Sequence, residues 1–246
     1  HTLCAIFANV PEIRKRHPKF SFCEVMKAGF REGRLGHVFQ WGAPVIGAPG
    51  LEFLAATRVT DCNPSEAADL TRGLLDSRAQ LKTIIDIANR DYPMPAGHGL
   101  ALVSVGSDLG IRESRHIKAK YRVTQKDILY GRHFDDCIGR GTYCVDIHEG
   151  AGITFKYLDG RENRMEVTST GEIVWKNARW RTDAGPYPTW YEIPLAALIP
   201  EKAENLICAG RMVDCDRDAY GALRVMVNCN QMGEAAGRVA VKGVRG

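Results

Sequence analysis

The chain has 246 residues, 45% of them hydrophobic and 25% charged, with a net charge of +4, which is the profile of a globular protein of one large domain or two small ones. The densest basic run, Arg14-Lys15-Arg16-His17, has no interleaved aromatics, which argues against a nucleic-acid surface. No stretch approaches the ~18 consecutive apolar residues of a membrane span, and no signal peptide is visible.

The eight cysteines (4, 23, 62, 137, 144, 208, 215 and 229) are scattered, with no C-x-x-C pair to bring two thiolates to one metal. They read as reduced thiols of a cytoplasmic protein, and no metal site is expected.

In chain order, residues 2–10 predict a strand, and 19–28 is apolar without a clean period. Residues 36–53 are rich in Gly and Pro, with short strands between turns. Leu70, Leu74, Leu75, Leu81, Ile84, Ile85 and Ala88 recur at helical spacing and predict a helix over 69–90, ended by Tyr92-Pro93. Strands are expected at 100–105 and 111–121, a helix cap at Thr124 with Asp127 three places on, a helical turn at 134–139 and a strand at 143–147. Short strands separated by Asp159-Gly160 and Thr170-Gly171 predict an antiparallel meander over 153–180. A strand at 187–193, a short helix at 195–198, a buried strand at 206–211, a polar loop and a helix over 227–242 complete the order. Clustered strands with helices between them argue an α+β fold.

Three polar clusters are candidates for chemistry. Arg112-Glu113-Ser114-Arg115-His116 on a strand puts one arginine inward, to be paired by Glu113 or Asp127; this reads either as a salt-bridged strand or as a substrate-facing one. Asp146 and His148 share a strand face, so the carboxylate can fix the imidazole tautomer and raise its basicity, or the two simply close a strand end. The third cluster is the last forty residues. Gly210 permits a tight turn with Arg211 at its mouth, and Gly221 allows a close backbone approach. The helix that follows offers unpaired N–H groups at its start, with Met232, Ala235, Ala236, Val239 and Ala240 as a buried stripe and Gly233 and Gly237 for close packing. This is either a ligand-binding end-piece or a terminal helix on a sheet.

The combination resembles the FAD-dependent oxidoreductase family related to the glutathione reductase and fumarate reductase flavoproteins. Gly110-Ile111-Arg112-Glu113-Ser114-Arg115, Gly131-Arg132-His133-Phe134-Asp135-Asp136, Val145-Asp146-Ile147-His148 and Ile193-Pro194 carry the resemblance. So do Asn205-Leu206-Ile207-Cys208-Ala209-Gly210-Arg211, Gly221-Ala222-Leu223-Arg224-Val225-Met226 and Gly233-Glu234-Ala235-Ala236-Gly237. The resemblance implies a substrate domain over 1–200, with a loop-rich part at 1–60, and the last strand and helix of the FAD domain over 201–246. It implies FAD as cofactor, held by Gly210, Arg211, Gly221, Val225, Met226 and Val227. The implied reaction is hydride transfer to flavin N5 from a small hydroxylated or anionic substrate held by Arg112 and Arg115. His148 or His133 would take the proton, with Asp146 as the orienting partner, and Arg224 would join Arg112 and Arg115 on the substrate. Two positions depart from the pattern: Arg211 stands where many relatives carry an acidic residue, and Tyr220 where a histidine is common. The family's opening G-x-G-x-x-G run does not occur in the sequence, and the chain starts at His1. The expectation is therefore the C-terminal part of a flavoprotein, inactive in isolation. Its partners would be a small substrate and a separate segment or subunit that holds the FAD pyrophosphate, with a homo-oligomer also open. A non-catalytic partner subunit or recognition module is the alternative.

Overall fold

The computed structural model describes residues 1–150, 152–183 and 185–245. The fold is α+β, and the strand pairs within its sheets are antiparallel. Contacts divide the chain into two compact units, His1–Ile111 with Val167–Val174, and Arg112–Glu166 with the chain from Trp175 onward.

In the first unit, β1 (Cys4–Ala8) ends at Asn9, whose φ of 70° turns the chain into α1 (Val10–Arg16), so the strand expected over 2–10 is shorter than its apolar run. The next helix, α2 (Phe22–Arg31), was not legible from apolar period. Its signal is the cap: Ser21 Oγ accepts a hydrogen bond from the Glu24 N–H at 3.2 Å. β2 (Trp41–Pro44) and β3 (Leu51–Ala55) are the short strands expected in the Gly/Pro-rich region. The expected long helix is α3 (Ala67–Asp91), whose buried face carries Leu81, Ile84, Ile87 and Ala88. With β4 (Ala101–Val105) the sheet order is β2-β3-β1-β4, and Leu3, Phe7, Ile13, Val25, Met26 and Leu54 fill the core with the face of α3.

In the second unit, 111–118 is not a strand. Its backbone instead bonds to loops: the Ile117 N–H donates to the Met212 carbonyl at 3.0 Å and the Lys120 N–H to the Ile199 carbonyl at 2.9 Å. Five charged or polar side chains in succession leave no apolar face to dock on a sheet. Asp127 closes the expected capping box with Thr124 at the start of α4 (Gln125–Leu129). The helical turn expected at 134–139 is replaced by β5 (Cys137–Gly141), because Gly139 and Gly141 are poor helix residues and a Cβ on Gly141 would lie 2.4 Å from the Tyr191 ring. β7 (Gly152–Lys156), β8 (Arg161–Val167) and β9 (Ile173–Arg179) form the expected meander, and β6 (Val145–Glu149), the strand expected at 143–147, joins it in the order β6-β7-β8-β9. Gly160 and Gly171, both with φ of 83°, make its turns. β10 (Tyr191–Pro194) pairs with β5 and runs into a 3-10 turn at Leu195–Leu198.

The C-terminal end-piece differs from expectation. Residues 206–209 form no ladder; the Cys208 N–H donates to the Leu198 carbonyl at 2.8 Å, a single bond in place of a strand. The polar loop contains α5 (Arg217–Leu223), capped by Asp216 through the Ala219 N–H at 2.8 Å. The last helix, α6 (Met226–Arg245), buries Met232, but Ala240 is exposed and a Cβ on Gly233 or Gly237 would meet nothing within 4 Å. Those two glycines therefore face open space and serve no close packing. Tyr191, Ile193, Leu198, Val213, Ala222 and Leu223 centre the core of this unit. Asn228 ties α6 to α5, its amide donating to the Ala222 carbonyl at 2.9 Å and to the Tyr191 hydroxyl at 2.8 Å.

Candidate active site

The alternation of β6 buries Val145 on one side and turns Asp146 and His148 to the other. Asp146 is buried, and the chain assembles a charged cluster around it. Arg224, in the break between α5 and α6, places Nη2 2.8 Å from Asp146 Oδ2 and 3.3 Å from the Asp146 carbonyl. The Tyr143 hydroxyl reaches the same Oδ2 at 3.3 Å. His148 Nε2 stands 3.2 Å from Asp146 Oδ1 and 3.0 Å from Arg112 Nη1. Arg112 is positioned in turn by the Tyr220 hydroxyl, which donates to its carbonyl.

The electrostatics follow from this packing. Burial pushes the Asp146 carboxyl up, but the contact with His148 and the charges of Arg224, His148 and Arg112 outweigh it and hold the group below its ordinary value. Asp146 is therefore a carboxylate at neutral pH. Burial, with the Asp146 charge added to it, pushes the Tyr143 hydroxyl up to about 12 and the Cys144 thiol up to about 11, so neither supplies an anion to the site.

His148 Nε2 sits between a donor and an acceptor, and one nitrogen cannot serve both. With the proton on Nε2 it faces Asp146; with the proton on Nδ1 the Nε2 lone pair accepts from Arg112. A proton arriving at Nε2 exchanges the Arg112 contact for an ion pair with Asp146. That is the exchange a general base requires.

Gly221 has a different role from the one its glycine suggests in the sequence. A Cβ there would lie 2.7 Å from the Asp146 carbonyl oxygen and 2.9 Å from its nitrogen. The glycine seats α5 directly on β6, against the backbone of Asp146.

Glu113 and Asp127 do not pair Arg112: Glu113 lies 3.0 Å from His116 Nε2, and Asp127 caps α4. Arg115 is exposed. His133 belongs to a second cluster. Its side chain is 76% exposed and its Nδ1 is 3.1 Å from Glu192, a buried carboxylate that also accepts from the Phe134 N–H at 2.9 Å and from Arg140 at 3.2 Å. That N–H, with His133 and Arg140, holds Glu192 down at about 2 against the effect of burial. Sequence reading passed over Glu192, Tyr143 and the hydroxyl of Tyr220. A carboxylate between Tyr191 and Ile193 in an apolar strand was the available signal for the first.

Gly210 has φ of 89° and open space where its Cβ would lie. Arg211 is exposed, and its charge acts on both Tyr220 and Cys229, so this turn neighbours the α5–α6 junction. Val225 leads into α6, whose first residues Met226 and Val227 are 82% and 64% exposed. An uncovered apolar surface at a positive helix end, beside a glycine turn, fits a flat ring with an electron-rich edge.

A model of the FAD dependent oxidoreductase family matches residues 11–245. The chain belongs to the FAD-dependent oxidoreductase family, and FAD is the cofactor of that family. Comparisons with curated proteins and with solved structures found no match. Among the described residues, no helix is long and apolar enough to cross a membrane.

Proposed function

We propose that this chain provides the substrate-facing side of an FAD-dependent oxidoreductase acting on a small hydroxylated or anionic substrate. Bound FAD supplies the two-electron acceptor, taking a hydride at N5. Gly210, Arg211, Val225, Met226 and Val227 are the residues that would hold the ring, with Gly221 setting the position of α5 behind them. His148 removes the substrate proton and Asp146 stabilises the imidazolium that forms. Arg112 and Arg224 hold the substrate's electron-rich group, with Arg115 at the rim. His148 is preferred to His133 because it is the imidazole joined to Asp146 and Arg112, whereas His133 is joined to Glu192. The observation that carries the reading is the position of His148 Nε2, 3.2 Å from a buried carboxylate and 3.0 Å from a guanidinium. Functionally the division is a substrate domain over 1–200 and an FAD-domain end-piece over 201–246. The eight scattered cysteines, with no C-x-x-C pair among them, suit a reducing, cytoplasmic setting.

The test is anaerobic reduction of the bound flavin by a panel of aldoses and hydroxy acids. Replacing His148 with Gln is expected to slow reduction by roughly 10²–10⁴-fold, the usual weight of a general base. An unchanged rate refutes the assignment.

A second reading is favoured by one observation, the lack of a G-x-G-x-x-G run in these residues. On it, the chain is a partner subunit or substrate-recognition module, and another polypeptide holds the flavin. Co-purification of a separate flavin-carrying chain from the native source supports this reading, and a single flavin-bearing polypeptide excludes it.

A further inference from the structure

The Arg112 guanidinium meets His148 Nε2 at 3.0 Å from a segment, 112–118, that has neither helix nor strand. A contact made from irregular backbone persists only where that backbone is tied elsewhere, because ordering each residue costs conformational entropy. The ties converge on α5 and the loop before it. The Tyr220 hydroxyl donates to the Arg112 carbonyl. The Tyr220 ring meets the His116 ring edge-on, with centroids 4.8 Å apart and planes at 80°. His116 Nδ1 lies 2.8 Å from the Val213 carbonyl, which only accepts, so Nδ1 carries the proton of that bond. His116 Nε2 lies 3.0 Å from Glu113 Oε1. The Ile117 N–H then donates to the Met212 carbonyl at 3.0 Å.

Tyr220 is itself fixed. It belongs to the core of this unit, and burial, with the charge of Glu113 added, pushes its hydroxyl well above its ordinary value, so it stays protonated and donates. Its neighbour Gly221 seats α5 on the backbone of Asp146, so the residue that ties Arg112 is carried by the helix packed on the strand of His148. Asp146 faces His148 from the same strand at 3.2 Å, and Arg112 faces it from the tied segment. Arg224, from the α5–α6 break, and the Tyr143 hydroxyl stand behind Asp146, and β7 places apolar Ile153 opposite. A carboxylate beside an imidazole favours its protonation, and a guanidinium disfavours it. The balance between the two depends on where Arg112 is held.

We infer that Tyr220, backed by His116 and Glu113, is a positioning residue that holds the Arg112 guanidinium on His148 and so sets the pH at which that imidazole takes a proton. Its bearing on turnover rests on the reading of His148 as the base.

The test follows the histidine ring signals of the protein by NMR as pH is varied, with the His148 signal assigned by its loss in His148→Gln. Tyr220→Phe keeps the ring and removes only the hydroxyl. It is expected to raise the His148 midpoint by about half a pH unit or more, toward the midpoint in Arg112→Gln, where the cation is gone. His116→Gln should move it the same way by less. A midpoint that stays at the parental pH in Arg112→Gln or in Tyr220→Phe overturns the inference, and so does one that moves in Tyr220→Phe but not in His116→Gln. Circular dichroism confirms the fold of each variant, and a loss of packing alone would leave the midpoint where it was. The titration needs neither substrate nor turnover. A failed reading of His148 as the base shows instead as flavin reduction at the parental rate in His148→Gln, with the midpoint still displaced in Tyr220→Phe.

Discussion

Replacing Gly221 with alanine separates two opposed effects by sign. Gly221 lies within α5, where exchanging glycine for alanine ordinarily stabilises a helix by about 1 kcal/mol. Here the new methyl would sit 2.7 Å from the Asp146 carbonyl oxygen, against an ordinary contact of at least 3.4 Å, so about 0.7 Å (3.4 − 2.7) must be found by moving α5 or β6. Backbone atoms cannot rotate away as a side chain would, and overpacking of this kind costs about 1–3 kcal/mol. The expected net change is a loss of up to about 2 kcal/mol in guanidinium denaturation, in place of the gain of about 1 kcal/mol the helix alone would give. The same shift lengthens the Arg224–Asp146 contact from 2.8 Å toward the limit of a hydrogen bond, so flavin reduction should fall along with stability. A variant about 1 kcal/mol more stable than the parent, the full helix gain, would refute the claim that the glycine exists to seat α5 on Asp146.

Two further predictions concern buried carboxylates. Because Asp146 is held below its ordinary value of 3.8, its contribution is present in full above that pH and is lost as pH falls through the lower folded value. Asp146→Asn should therefore cost about 3 kcal/mol near neutral pH, by leaving Arg224 without its partner, and the gap to the parent should shrink below pH 3.8; a gap that widens in acid contradicts this. Glu192 follows the same sign over a wider window. Glu192→Gln should lower the denaturation midpoint above pH 4.5 and converge on the parent toward pH 2, and convergence already complete near pH 4.5 would show that Phe134, His133 and Arg140 do not hold the carboxylate.

What the sequence made legible follows physical lines. The α3 helix announced itself because apolar residues from Leu70 to Ala88, exposed Leu75 apart, keep one face over about five turns, and the meander because Asp159-Gly160 and Thr170-Gly171 demand turns between short strands. The Asp146–His148 pair was legible because strand alternation alone puts both on one face. The strand expected at 206–211 was not found, because an apolar run becomes a strand only where a neighbour supplies the ladder, and here a single bond to Leu198 takes its place. Arg112 was recognised as needing a partner, but its partner His148 lies 36 residues away in sequence and no local pattern encodes that contact. Gly221 was read as room for a ligand; only the packing of α5 on β6 reveals that the room is filled by the backbone of Asp146.

The measurement closest to the central claim is the visible spectrum of the purified native protein, compared with that of a Gly210→Val variant. Gly210 holds φ of 89°, where a β-branched residue is strained, and it fronts open space beside the exposed start of α6. The account predicts bound oxidised FAD in the parent and its loss from the variant with the fold retained. A parent without flavin, or a variant that keeps its flavin in full, would contradict it.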